Sequence, residues 1–153
     1  MKEESSYDDV LQIFTKFLAE RQCRRTPERF AILEHIHTSV GFFDAETLYD
    51  EMKTEFRVSL ATVYNTLDLL LSCNLVSRSQ FGGNKLLFQK TFGNTAQHYM
   101  ICSVCGVVKE FSDKKIKTCI NAKHFATFST SFYSLNLYGI CKKCSKLKNK
   151  KIK

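Results

Sequence analysis

Apolar positions recur at helical spacing four times before the pattern changes. Val10, Leu11, Phe14, Phe17 and Leu18 predict a helix over 7–22. Thr26-Pro27 then reads as a helix start, with Thr as N-cap and Pro at the first helical position, running through Phe30, Leu33 and Ile36 to about Ser39. Asp44 caps a third helix, with Leu48 and Met52 on its inner face. Ser59 caps a fourth, with Leu60, Val63, Leu67 and Leu70 inward and Asn74 suited to the left-handed position that stops it. Two short extended runs, LVSRSQF and KLLFQ, flank Gly82-Gly83-Asn84, a hairpin signal.

From about Thr91 the pattern differs. HYMICSVC and VVKEF read as strands around a turn at Gly106. Ser112 caps a helix DKKIKTCINAKHFA, with Ile116, Cys119 and Ile120 in register, and SFYSLNLYGIC alternates as a strand. The chain thus divides into 1–90, a hinge at 91–96, a second domain at 97–144, and a basic tail at 145–153 without regular structure. The expected class is α+β: an N-terminal winged helix-turn-helix followed by a small α/β domain. Neither half buries a large core, so a metal staple or a dimer interface is expected.

The winged helix-turn-helix follows from four helices and a hairpin in that order, with the short turn Arg57-Val58-Ser59 before the fourth helix. The fourth helix would enter the major groove by its N-terminal residues. Its outward residues there are Ser59, Thr62, Tyr64, Asn65 and Thr66, which can donate and accept at base edges or lie against a thymine methyl. Arg24, Arg25, Arg29, Arg57 and Arg78 flank it as phosphate contacts.

The 153 residues carry a net charge of +8, distributed unevenly. Residues 1–85 sum to −3, residues 86–141 to +4, and residues 142–153, with seven lysines, to +7. Basicity alone therefore does not locate a nucleic-acid surface. No apolar run has the length of a membrane helix, and the acidic start MKEESSYDD is unlike a signal peptide, so a cytoplasmic setting is expected. There thiols stay reduced, and the seven cysteines point to metal rather than disulfides.

Cys102-x-x-Cys105 and Cys141-x-x-Cys144 form two knuckles 35 residues apart. Four thiolates suit one tetrahedral zinc in a closed, structural site that leaves no position for chemistry. No thioredoxin-like βαβ context supports redox dithiols instead, and no nucleophile has a histidine–carboxylate pattern nearby, so no enzyme is expected. Cys73 and Cys119 fall on helical faces that read as buried, and Cys23 adjoins Arg24 and Arg25, which favour a thiolate. His35 and His37, two apart on a helix, point to different sides. His98 or His124 could join Glu110 or Asp113 in a second, regulatory metal site.

Five motifs in order resemble the ferric uptake regulator family of bacterial metal-responsive repressors. They are R-x-T-P-x-R-x-x-I-L from Arg24, A-E-x-L-Y from Ala45, S-x-A-T-V-Y-x-x-L from Ser59, I-C-x-x-C-G-x-V-x-E-F from Ile101 and L-Y-G-x-C-x-x-C from Leu137. The resemblance covers about residues 10–144. It implies a homodimer, a DNA-binding winged helix, an α/β dimerisation domain and structural zinc at the four cysteines. It also assigns Tyr64 to the family's thymine-touching tyrosine, with Asn65 where arginine is common. The family's regulatory ligands would fall at Phe42, Gln89, Gln97, Tyr99 and Glu110, of which only Glu110 keeps a metal-binding side chain; Tyr133 stands where a further site uses histidine. Glutamine and tyrosine are poor ligands for ferrous iron, so ordinary iron sensing is expected to be impaired or rebuilt.

The leading expectation is a dimeric transcriptional regulator, a repressor, on an inverted-repeat duplex. Its input is ferrous iron or another divalent ion at a remodelled site, haem, or no small molecule at all. The competing reading is a winged helix that docks a protein partner, which the −3 of residues 1–85 favours.

Overall fold

The structure is a computed structural model that describes residues 6–80, 85–93, 98–130 and 133–151. They fall into two compact units, one ending at Gly93 and the other starting at His98.

In the first unit, α1 (Tyr7–Glu20) starts at a capping box: the Ser6 hydroxyl accepts from the Asp8 N–H, and the Asp9 carboxylate accepts from the Ser6 N–H at 3.0 Å. Val10, Phe14 and Leu18, four residues apart, form its buried stripe. The helix stops at Gln22, whose φ is +54°. There the Gln22 N–H reaches the Ala19 carbonyl and the Cys23 N–H reaches that of Leu18, at 3.1 and 2.8 Å, a Schellman closure. Next come α2 (Pro27–Thr38) and α3 (Ala45–Met52), the latter capped by Asp44. Thr26 occupies the N-cap of α2 but makes no side-chain cap bond, because Pro27 pre-sets the first turn instead. α4 (Leu60–Ser72) is capped by Ser59 and closed by Asn74 at φ +57° with the same two-bond closure.

The wing is an antiparallel pair, β1 (Val76–Ser79) and β2 (Leu87–Lys90), with Val76 opposite Lys90. Its tip at Gly82-Gly83-Asn84 lies outside the described residues. Phe43 pairs with Phe88 through both backbone bonds, 3.0 and 2.7 Å, so the segment leading into α3 is laid against the wing. Lys90 donates to the His37 carbonyl at 2.6 Å and ties the wing to the end of α2. The core joins Ile32, Leu33, Leu48, Met52, Val63, Leu67 and Leu70 to the α1 stripe. Phe92, which falls in the expected hinge, is only 6% exposed, belongs to this core and stacks on His37.

The second unit is a three-stranded sheet in the order β4-β3-β5, made of β3 (His98–Cys102), β4 (Val108–Phe111) and β5 (Leu135–Gly139). β4 runs antiparallel to β3, and β5 runs parallel to it after the crossover through α5 (Lys114–Asn121). Three expectations are corrected here. The cap of α5 is Asp113 rather than Ser112, its carboxylate accepting from the Lys115 and Ile116 N–H groups, and the helix ends at Asn121. Cys119 is exposed, since α5 buries none of its residues. The tail is helical rather than irregular: α6 spans Lys142–Lys151, beginning inside the second knuckle. The knuckle fixes its first turn, which removes the nucleation cost that a lysine-rich segment could not otherwise overcome.

Candidate functional site

Strand topology brings the two knuckles together. Parallel β3 and β5 end at the same edge, with Cys102 opposite Gly139 and the Ser103 N–H on the Gly139 carbonyl at 2.8 Å. Cys141, two residues further, therefore arrives beside Cys102 and donates its N–H to that sulfur at 3.3 Å. The first knuckle turns at Gly106, φ +71°, a left-handed conformation that a side chain would strain, with its N–H on the Cys102 carbonyl at 2.9 Å.

The sulfurs of Cys102, Cys105, Cys141 and Cys144 all lie within 4.8 Å of one another, and those of Cys105 and Cys141 are 3.8 Å apart. A zinc–sulfur bond of about 2.3 Å gives a tetrahedron edge of about 3.8 Å, so the cage fits zinc. The electrostatics agree. N–H groups of Cys105, Cys141 and Val104 aimed at its sulfur hold the Cys102 thiol down at about 6. Cys144, facing the Cys141 sulfur and buried, is pushed up to about 12. A cage that welcomes the first thiolate and resists the last is one that a divalent cation would complete.

The expected regulatory group does not assemble. Among the described residues, the four cysteines are the one set of three or more His, Cys, Asp or Glu side chains close enough to share a metal. His98 pairs with Phe111 and Tyr99 with Glu110, so His98 and Glu110 occupy successive register positions and leave opposite faces of the sheet. His124 lies beyond the end of α5, on an exposed stretch. His98 is 0% exposed, and among the described residues neither ring nitrogen has a hydrogen-bond partner, nor does the buried Tyr133 hydroxyl, on a ring 5.8 Å from the imidazole. Gln89 and Tyr99 are buried, Phe42 is half-buried and Gln97 lies outside the described residues. His35 meets Glu51 at 2.8 Å.

The other candidate surface is the start of α4. The Ser59 hydroxyl accepts from the Thr62 N–H at 3.1 Å and lies 2.8 Å from the Thr62 hydroxyl. Tyr64, 38% exposed, donates its hydroxyl proton to Glu46 of α3 at 2.6 Å, which raises its pKa. Asn65 and Arg57 are exposed. Thr66 is not outward as expected: it is 0% exposed, since it lies three residues after Val63 and four before Leu70, on the buried stripe of the helix. Arg29 is half-buried and donates to the Arg24 carbonyl. Sequence reading missed Glu46 and Lys85, which come from outside α4. The Asp44–Lys85 ion pair, 2.9 Å, closes one side of a cavity of about 270 Å³ lined by Ala45, Glu46, Tyr64, Lys85, Leu86 and Phe88.

The ferric uptake regulator family profile matches residues 20–138. The chain is 32% identical to the peroxide operon regulator of Bacillus subtilis over 134 residues, covering 86% of this chain and 91% of that protein. It is 31% identical to the ferric uptake regulation protein of Campylobacter jejuni over 154 aligned positions, covering 97% and 96%. The fold matches that of the Helicobacter pylori ferric uptake regulator with a TM-score of 0.71 and 18% identity, over 95% of this chain and 97% of that one.

Proposed function

The chain belongs to the ferric uptake regulator family of metal-responsive transcriptional regulators, and from that premise we propose that it is a dimeric, cytoplasmic DNA-binding repressor stapled by zinc. The observation that carries the reading is the start of α4, where Tyr64 and Asn65 stand exposed beside the wing. The first unit, which includes Phe92, reads the duplex, and the second, from His98, dimerises. Ser59, Thr62, Tyr64 and Asn65 face base edges, while Arg57 and Arg29 meet phosphates. A two-fold dimer presents two such helices to the halves of an inverted repeat.

Cys102, Cys105, Cys141 and Cys144 hold the zinc, which when bound supplies a cross-link between the ends of β3 and β5. The regulatory metal site is degenerate: the ligand positions implied by the family carry Phe42, Gln89 and Tyr99, with Glu110 alone retaining a carboxylate. The input is then ferrous iron or another divalent ion at a remodelled site, haem, or no small molecule at all.

Anisotropy titration of a selected duplex tests both parts. Tyr64→Ala with Arg57→Ala should weaken binding at least ten-fold. Unchanged affinity would favour a protein-docking winged helix. If no small molecule is sensed, a chelator that leaves one zinc per chain does not change operator affinity, whereas a large loss would show a surviving metal sensor.

A further inference from the structure

We propose that Glu46 is a positioning residue for Tyr64: by accepting the phenolic hydrogen bond it fixes the ring beside the wing and makes α4 discriminate against guanine at the base pair Tyr64 meets. The inference rests on the DNA-reading role of α4 given above.

The hydrogen bond spans 18 residues, from the first turn of α3 to the second turn of α4, and is 2.6 Å long. A phenol has one proton and an ionised carboxylate can only accept, so Tyr64 donates and Glu46 accepts. Glu46 sits in the first turn of α3, among the unpaired N–H groups of the helix start. Lys85 is the neighbouring cation that could compete for Glu46, but its ammonium is held by Asp44 at 2.9 Å. Asp44 in turn accepts from the Thr47 N–H and hydroxyl, both at 2.9 Å. Each carboxylate therefore has its own donor. The cavity of about 270 Å³ beside the ring leaves it room to turn, so the bond to Glu46 selects one orientation among those available.

With its proton committed, the Tyr64 oxygen offers only acceptor capacity. In the major groove it can accept from the N6 amine of adenine or the N4 amine of cytosine, and its ring can lie on a thymine methyl. It cannot donate to O6 or N7 of guanine, which present two acceptors. A methionine at position 46 keeps the length of the side chain but removes the acceptor, which leaves the phenolic proton free to point outward.

The test uses the full-length, zinc-loaded protein. A binding sequence is selected from random duplexes with wild type, and affinities are measured for all four bases at each position. Wild type should reject guanine about ten-fold at one pair per half-site. Glu46→Met should bring that ratio close to one while preferences elsewhere, zinc content and melting temperature stay as in wild type. In a Tyr64→Phe background, Glu46→Met should have no further effect. Unaltered preferences in Glu46→Met, or the same change with and without the Tyr64 hydroxyl, would overturn the inference alone. Failure of wild type to select any sequence would overturn the DNA-reading role and this inference with it.

Discussion

Asp44 connects the cap of α3 to Lys85, next to the wing, through one carboxylate. Burial by itself would raise its pKa, but the Lys85 ammonium and the Thr47 N–H and hydroxyl outweigh burial and hold it at about 2. The folded value lies below the unfolded value of about 3.9, so the stabilisation is present above that value and is lost as pH falls through the folded one. Asp44→Ala should cost about 1 kcal/mol at neutral pH. The gap between variant and wild type should narrow between pH 4 and 2, read by urea melts across pH. At the other site, Cys102→Ser removes the sulfur on which three backbone N–H groups converge. Bound zinc should drop from one per chain to a small fraction, measured by metal analysis of the purified protein.

At the scale of elements, α1 and α4 stop by the same device, with different residues at the left-handed position. Asn74 tolerates φ +57° through its short polar side chain, whereas Gln22 at +54° carries a longer one with a steric cost. Gln22→Gly should therefore raise stability by up to about 1 kcal/mol, seen as a higher denaturation midpoint at unchanged slope. Asn74→Gly should give a smaller gain. α4 depends on its buried face more than on its ends. Val63, Leu67 and Leu70 are fully buried, and Leu67→Ala should cost about 2–5 kcal/mol in the same assay.

At the scale of the molecule, the two units differ in what stabilises them. The first has a contiguous apolar core, while the second buries few side chains and leaves Met100, Leu137, Phe125 and Phe128 exposed, the last at 68%. Met100 and Leu137 are register partners on neighbouring strands and leave the same face of the sheet. Such a patch suits an interaction surface, and the proposed dimer would use it. Leu137→Asp should shift the protein toward monomer in sedimentation velocity, with zinc retained and the first unit's melting unchanged. Stripping zinc with a strong chelator should unfold the sheet of residues 98–139 while the helical signal of the first unit persists.

Helix existence, caps at Ser59 and Asp44, the stop at Asn74 and the four-cysteine pairing were legible in sequence because each rests on local chemistry or on spacing within one turn. The order of the elements was legible too, since hydrophobic period separates helices from strands. Residue orientation beyond the first turn was not. Thr66 is polar yet faces inward, and Cys119 is in register yet exposed, because burial depends on what packs opposite. The separation of His98 from Glu110 is a matter of strand register, which no motif states. The bond from Tyr64 to Glu46 joins two helices across a turn, and the helix at the tail follows from a knuckle that closes only when β3 and β5 lie parallel. Sequence determined the pieces and their chemistry; tertiary packing decided which side chains meet, because meeting depends on faces and register rather than on order along the chain.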